Sequence, residues 1–190
     1  MMINEELIEQ VRKFVEEECG KPTSKYGYEP FIFHFVPMHN YAKKLAEDLN
    51  ADVEVVEIAA WLHDIGSIIA GRENHHISGA EIAEKKLIEL NYPKEKIILI
   101  KKCILNHRGS VNLQKESIEE QIIADADAMS AFDNIGGIFK AALNFEGHNQ
   151  SSATNSVKTK LINSFNKISP RAKEIIKPRY EAVLLLFGKS

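Results

Sequence analysis

Along most of the chain, apolar residues return every three or four positions, the spacing of one helix face. Ile3, Leu7, Val11 and Phe14-Val15 predict a first helix that stops near Gly20-Lys21-Pro22. Pro22, Gly27 and Pro30 mark a loop over residues 21–30. His34, Met38, Tyr41-Ala42, Leu45 and Leu49 line a second helix, with Pro37 tolerable in its first turn. Asn50-Ala51-Asp52 breaks it, and Asp52 is placed to cap a third helix running from Val53 to about Asp64.

Residues 66–76, with Gly66, Gly71 and Asn74, read as a polar loop. Ala80, Ala83, Leu87 and Leu90 form the face of a fourth helix, and Ile97, Ile100, Ile104 and His107 that of a fifth. A loop opens at Arg108-Gly109-Ser110. The sixth helix runs from about Ser117 through Ile122-Ile123 and Met129 to Phe132. Gly136-Gly137 reads as an interruption before a short helix over Ile138–Phe145. Residues 146–156 read as a flexible surface loop, and 157–167 and 170–187 as the last helices. No alternating stretch is long enough for a sheet. The expected fold is all-α, with residues 1–190 forming a single domain.

Composition narrows the function classes. The chain has 190 residues, 44% hydrophobic and 27% charged, enough for one sizeable core. A formal net charge of -3 lacks the basic footprint of a nucleic-acid-binding surface, so no nucleic-acid partner is expected. Cys19 and Cys103 lie far apart, which argues against a disulfide framework or a zinc ribbon. The acidic, amphipathic opening Met1–Glu18 does not read as a signal peptide, and no apolar run approaches the roughly 20 residues of a membrane span. The expectation is a cytoplasmic protein without a membrane partner; a homodimer stays open.

The chemistry lies in polar residues that fall on apolar faces. His63-Asp64 closes the run Ile58-Ala59-Ala60-Trp61-Leu62. Taken alone the pair is equally a helix C-terminus, where a histidine favours the negative dipole end. His34 heads the second apolar stripe and His107 ends the fifth. Asp125 and Asp127 interrupt the apolar segment from Ile122 to Met129. Uncompensated carboxylates there would cost roughly several kcal/mol, which a divalent cation would offset. Imidazole with carboxylate suits Mn, Fe, Co or Zn better than Ca. Helical phase does not choose between Asp125 and Asp127. His39 lies off the stripe and reads as exposed or supporting; His148 reads as surface.

These residues resemble the H…HD…D pattern of HD-domain metal-dependent phosphohydrolases, with a likeness over about residues 30–140. His34, Met38 and Ala42 match the family's first histidine helix, and Ala-Ala-Trp-Leu-His-Asp-Ile-Gly matches the HD segment. The resemblance implies a helical bundle whose metal ligands are His34, His63, Asp64 and Asp127, the second aspartate of Asp125-Ala126-Asp127. The segment His75-His76-Ile77-Ser78-Gly79-Ala80-Glu81 resembles the family's H-x-x-x-G-A-E and selects His75, whereas helical phase favours His76. His75 and His107 then help hold a second metal or, with one metal, assist the leaving group. No Gly-Tyr-Pro follows His107, and Ile65-Gly66-Ser67-Ile68 replaces the extension of guanosine tetraphosphate hydrolases, which disfavours both of those subclasses.

The implied function is hydrolysis of a phosphoester or phosphoanhydride, on a small nucleotide, by water activated at one or two divalent ions (Mn, Fe, Co, Zn or Mg). Asp64 bridges two ions or joins His75 and His107 in catalysis. Arg108 can fork to phosphate, and Asp125 is expected to orient a ligand by hydrogen bonding. The alternative is a non-catalytic module that binds a nucleotide or partner without turnover.

Overall fold

The computed structural model describes residues 4–107 and 115–188. All regular structure among them is helical. Helix α1 (Glu5–Gly20) is capped by Asn4, whose side chain accepts from the Leu7 amide. A helical stretch over Phe31–Phe35 opens into one wide π turn, closed by the Val36 amide on the Phe31 carbonyl. It continues into α2 (Val36–Leu49). Pro37 has no N–H to return to the preceding turn, and the wide turn before it accommodates that loss. Asn50 ends α2 in the left-handed region, at φ 53°.

Helix α3 (Val53–Leu62) is capped by Asp52, as the pattern predicts, with the Val55 amide on its carboxylate at 3.1 Å. Every residue of α3 from Val55 onward is buried, all of them apolar except Glu57, so it forms the central rod. Around it pack α1, α2, α6 (Lys94–Asn106) and α7 (Ile118–Ser130). Helix α5 (His75–Glu89) lies against α6 and against the short α4 (Ile65–Ile69). Helices α8 (Ile135–Asn144), α9 (Gln150–Lys167) and α10 (Pro170–Phe187) complete the chain, α9 and α10 both touching α7.

Four boundaries differ from the sequence expectation. The third helix stops at Leu62, and His63-Asp64 forms the corner that turns into α4. Residues 66–69, expected in a polar loop, are helical as part of α4, and Ile65, Gly66, Ser67 and Ile68 are buried. Gly136-Gly137 lies inside the first turns of α8 rather than before it. Residues 150–156 belong to α9, because Asn149 and Ser152 build a reciprocal capping box there. The polar composition of that stretch hid a capped helix start. The loop expected from Arg108 lies outside the described residues. Cys19 and Cys103 are both free and buried. No helix among the described residues is long and apolar enough to cross a membrane.

Candidate metal centre

The corner after α3 carries the centre of the cluster. His63 is fully buried, and Asp64 follows it at the N-terminal end of α4. The wide turn before α2 brings His34 to the same point, with His34 Nε2 3.0 Å from His63 Nε2. Asp127 arrives from α7, its Oδ1 3.7 Å from His34 Nε2 and 3.9 Å from His63 Nε2. His75, at the start of α5, and His107, just past α6, complete the arrangement.

Asp64 divides its two oxygens between two groups of nitrogens. Oδ2 lies 3.4 Å from His34 Nε2 and 3.9 Å from His63 Nε2. Oδ1 lies 3.2 Å from His75 Nε2 and 3.5 Å from His107 Nε2. Two sets of atoms, His34/His63/Asp127 and Asp64/His75/His107, each converge within 4.8 Å, the spacing of ligands around a cation.

The outer ring nitrogens fix which way each imidazole points its lone pair. His63 Nδ1–H donates to the Ala60 carbonyl at 2.8 Å, and His75 Nδ1–H to the Arg72 carbonyl at 2.8 Å. His107 Nδ1–H donates to the Ile104 carbonyl at 2.6 Å. A carbonyl can only accept, so these three Nδ1 atoms carry hydrogen. His34 Nδ1 meets Ser130 Oγ at 2.9 Å. Ser130 spends its single proton on the Asp127 carbonyl at 2.8 Å, so its oxygen accepts from His34 as well. In the neutral ring every Nε2 is then a bare acceptor, and all four face two carboxylates. A cluster of such acceptors suits a cation, and mixed N and O donors fit a first-row divalent metal.

The electrostatics agree. Burial pushes the His63 imidazolium down to about 4, leaving its nitrogen free to ligate. Burial opposes ionisation of Asp64, but His63, His107 and His34 outweigh it and hold the carboxyl well below its usual range. Asp127 is likewise held low against burial by His34, His63 and His107. For His34 and His107, burial is overcome chiefly by Asp64, and both rings are raised. Without a metal, protons on those rings supply the counter-charge.

The choice between neighbouring histidines follows from packing. His75 is buried and faces Asp64, while His76 is partly exposed. Helical phase pointed to His76 because it assumed a regular helix already under way. Residue 75 is instead the first of α5, after Asn74 at φ 51°. Between the aspartates, Asp127 joins the cluster and Asp125 does not. Asp125 accepts from Gln121 at 2.8 Å and from the Ser169 amide at 3.2 Å, which ties α7 to the start of α10. The expectation that Asp125 orients a ligand is therefore corrected.

His39 neither joins the cluster nor faces open water. It stacks on Trp61 with centroids 4.5 Å apart and bonds the buried Glu57 at 3.0 Å. His148, expected at the surface, is half-buried and 3.9 Å from Glu146. Arg108 lies outside the described residues. Sequence reasoning missed Ser130, although it stands three residues after Asp127 and thus on the same helix face.

The HD-domain family profile matches residues 31–131, just over half of the chain and inclusive of all six clustered residues. A tRNA (cytidine(56)-2'-O)-methyltransferase of Picrophilus torridus is 30% identical over 158 residues, covering 75% of this chain and 44% of that protein. Ribonuclease Y of Rubrobacter xylanophilus is 33% identical over 113 residues, covering 58% of this chain and 20% of that protein. The chain thus spans less than half the length of either relative. Among solved structures, Bacillus subtilis YpgQ in complex with ADP superposes with a TM-score of 0.70 at 22% identity, covering 94% of this chain and 93% of that one. With its helical bundle and its clustered His34, His63-Asp64 and Asp127, this chain belongs to the HD-domain family.

Proposed function

We propose that the chain is a metal-dependent phosphohydrolase that cleaves a phosphoester or phosphoanhydride bond of a small nucleotide. The observation that carries this reading is the set of four inward, bare Nε2 atoms around Asp64 and Asp127. His34, His63, Asp127 and Asp64 Oδ2 would hold one divalent ion, and Asp64 Oδ1, His75 and His107 a second. Such ions supply an activated water and neutralise charge on a phosphoryl group. The backbone and Ser130 partners fix the imidazoles so that little reorganisation accompanies binding. With only the first position filled, His75 and His107 remain in place to hydrogen-bond a leaving group. Arg108, next to His107 in sequence, is assigned to phosphate.

Support for a nucleotide comes from the ADP bound to YpgQ, whose fold this chain shares. A second reading, cleavage of an RNA phosphodiester, is favoured by the relatives named ribonuclease Y. The net charge of -3 weighs against it.

The test has two parts. Metal content of the purified protein is measured after Mn or Co loading, and phosphate and pyrophosphate release is then screened over nucleotides, phosphate esters and an RNA oligonucleotide. The expected result is stoichiometric metal and turnover of a nucleotide. Metal with nucleotide binding but no turnover would favour the non-catalytic module; no stoichiometric metal would end the metal reading altogether.

A further inference from the structure

Helix α5 buries one side and leaves the other uncovered. Gly79, Ala80, Ala83 and Leu87 are buried, and the helix packs on α4 and α6. On the opposite side Ile77, Glu81, Lys85 and Ile88 recur at helical spacing, and all four are exposed. Ile77 is 46% exposed and Ile88 60%. Ile98, on the neighbouring α6, is 50% exposed. With Ile88, Tyr92 and Ile97 it lines a cleft of about 530 Å³ at the end of α5.

The charges of this stripe are uncommitted. Glu81 and Lys85 stand one turn apart, in the order that favours an ion pair within a helix. Among the described residues neither side chain is in an ion pair or hydrogen bond, with the other or with any third group. Glu84, at the α6 edge of the stripe, is by contrast paired with Lys101 at 2.5 Å. The face therefore presents one free charge of each sign between two free isoleucines.

We propose that this face of α5 is the contact between two copies of the chain, packed antiparallel about a two-fold axis. Such an axis sets each residue against the one equally far beyond it in the second copy. Ile77 and Ile88 are centred between residues 82 and 83, and Glu81 and Lys85 are centred on residue 83. One axis therefore serves both pairs. Each Ile77 meets Ile88 of the second copy, at the mouth of the cleft beside Ile98, and each Glu81 meets Lys85 of the second copy. The apolar ends exclude water on either side of the two ion pairs, which fix the register. The stripe rises only about 16 Å from Ile77 to Ile88. An interface of that extent is small, so the two copies should separate on dilution.

The experiment is sedimentation equilibrium of the full chain over about 1–500 µM, the range in which small interfaces dissociate. Wild type should show a monomer–dimer equilibrium. Glu81→Lys and Lys85→Glu should each weaken it about tenfold or more, because each sets like charges opposite one another twice. The double variant, Glu81→Lys with Lys85→Glu, should regain wild-type association. An equal mixture of the two single variants should associate more tightly than either alone. Ile88→Asp should leave only monomer. Helical content should be unchanged throughout, since every position altered is exposed. A wild-type monomer at every concentration would overturn the proposal, as would a dimer indifferent to Glu81→Lys or Ile88→Asp. A double variant no better than the single ones would also overturn it, because Glu81 and Lys85 would then not face each other. The metal reading does not depend on this contact, and neither result alters it.

Discussion

Gly66 and His75 are in backbone contact. A β-carbon at position 66 would overlap the His75 carbonyl oxygen and lie 2.6 Å from the Gly79 nitrogen. The glycine after Asp64 therefore sets how closely α5 approaches the corner. Gly66→Ala should destabilise the fold by about 1–3 kcal/mol, the usual range for overpacking. It should also push His75 away from Asp64, lowering Mn stoichiometry from two ions toward one. Urea unfolding and metal titration check the two effects separately.

The split of Asp64 between two nitrogen groups gives a second prediction. Asp64→Asn keeps the shape but removes the charge that both groups share. Metal content and turnover should fall by about a hundredfold or more, beyond the range for supporting partners, with helical content retained. Asp125→Asn is the control: its carboxylate bonds Gln121 and Ser169 rather than the cluster, so turnover should match wild type. Normal turnover in Asp64→Asn would refute the proposed centre.

Metal removal should lower the melting temperature. A ligand at a hundred times its dissociation constant stabilises a protein by about 2.7 kcal/mol. For a chain of this length that corresponds to a shift of about 5–10 °C. A melting curve with chelator, then with Mn restored, reads the difference. Identical curves would mean that no ion binds the folded state selectively.

Glu57 offers a pH prediction away from the centre. Burial opposes its ionisation, but His39 at 3.0 Å and Lys43 at 3.1 Å outweigh burial and hold the carboxyl below its usual value of 4.5. Its folded pKa lies below the unfolded one, so the stabilisation is complete above about pH 4.5 and fades as pH falls through the folded value. Glu57→Gln should cost about 1–3 kcal/mol at neutral pH. Its deficit against wild type should narrow below pH 4.5, as measured by denaturant unfolding across pH.

Helix faces, the residues His34, His63, Asp64 and His107, and the pair Asp125/Asp127 were legible in the sequence because burial and periodicity leave a local trace, while Asp127 and His75 were singled out only by the family resemblance. What stayed hidden depends on contacts between distant segments. The helical nature of residues 65–69 follows from packing against α5, which Gly66 alone permits. The choice of Asp127 over Asp125 depends on which neighbour each meets, α2 or the start of α10. The identity of His75 required knowing where α5 begins.

The wide turn over Phe31–Phe35 has its own consequence. It holds one residue more than an ordinary helical turn, closed by the Val36 amide on Phe31. Losing a single residue there would restore regular winding and swing everything upstream by about 100° around the axis. His34 would leave the centre while Met38, Ala42 and Leu45 kept their places in the core. Chain length in this segment is therefore under tighter constraint than the identity of its exposed side chains, Ile32 and Phe33.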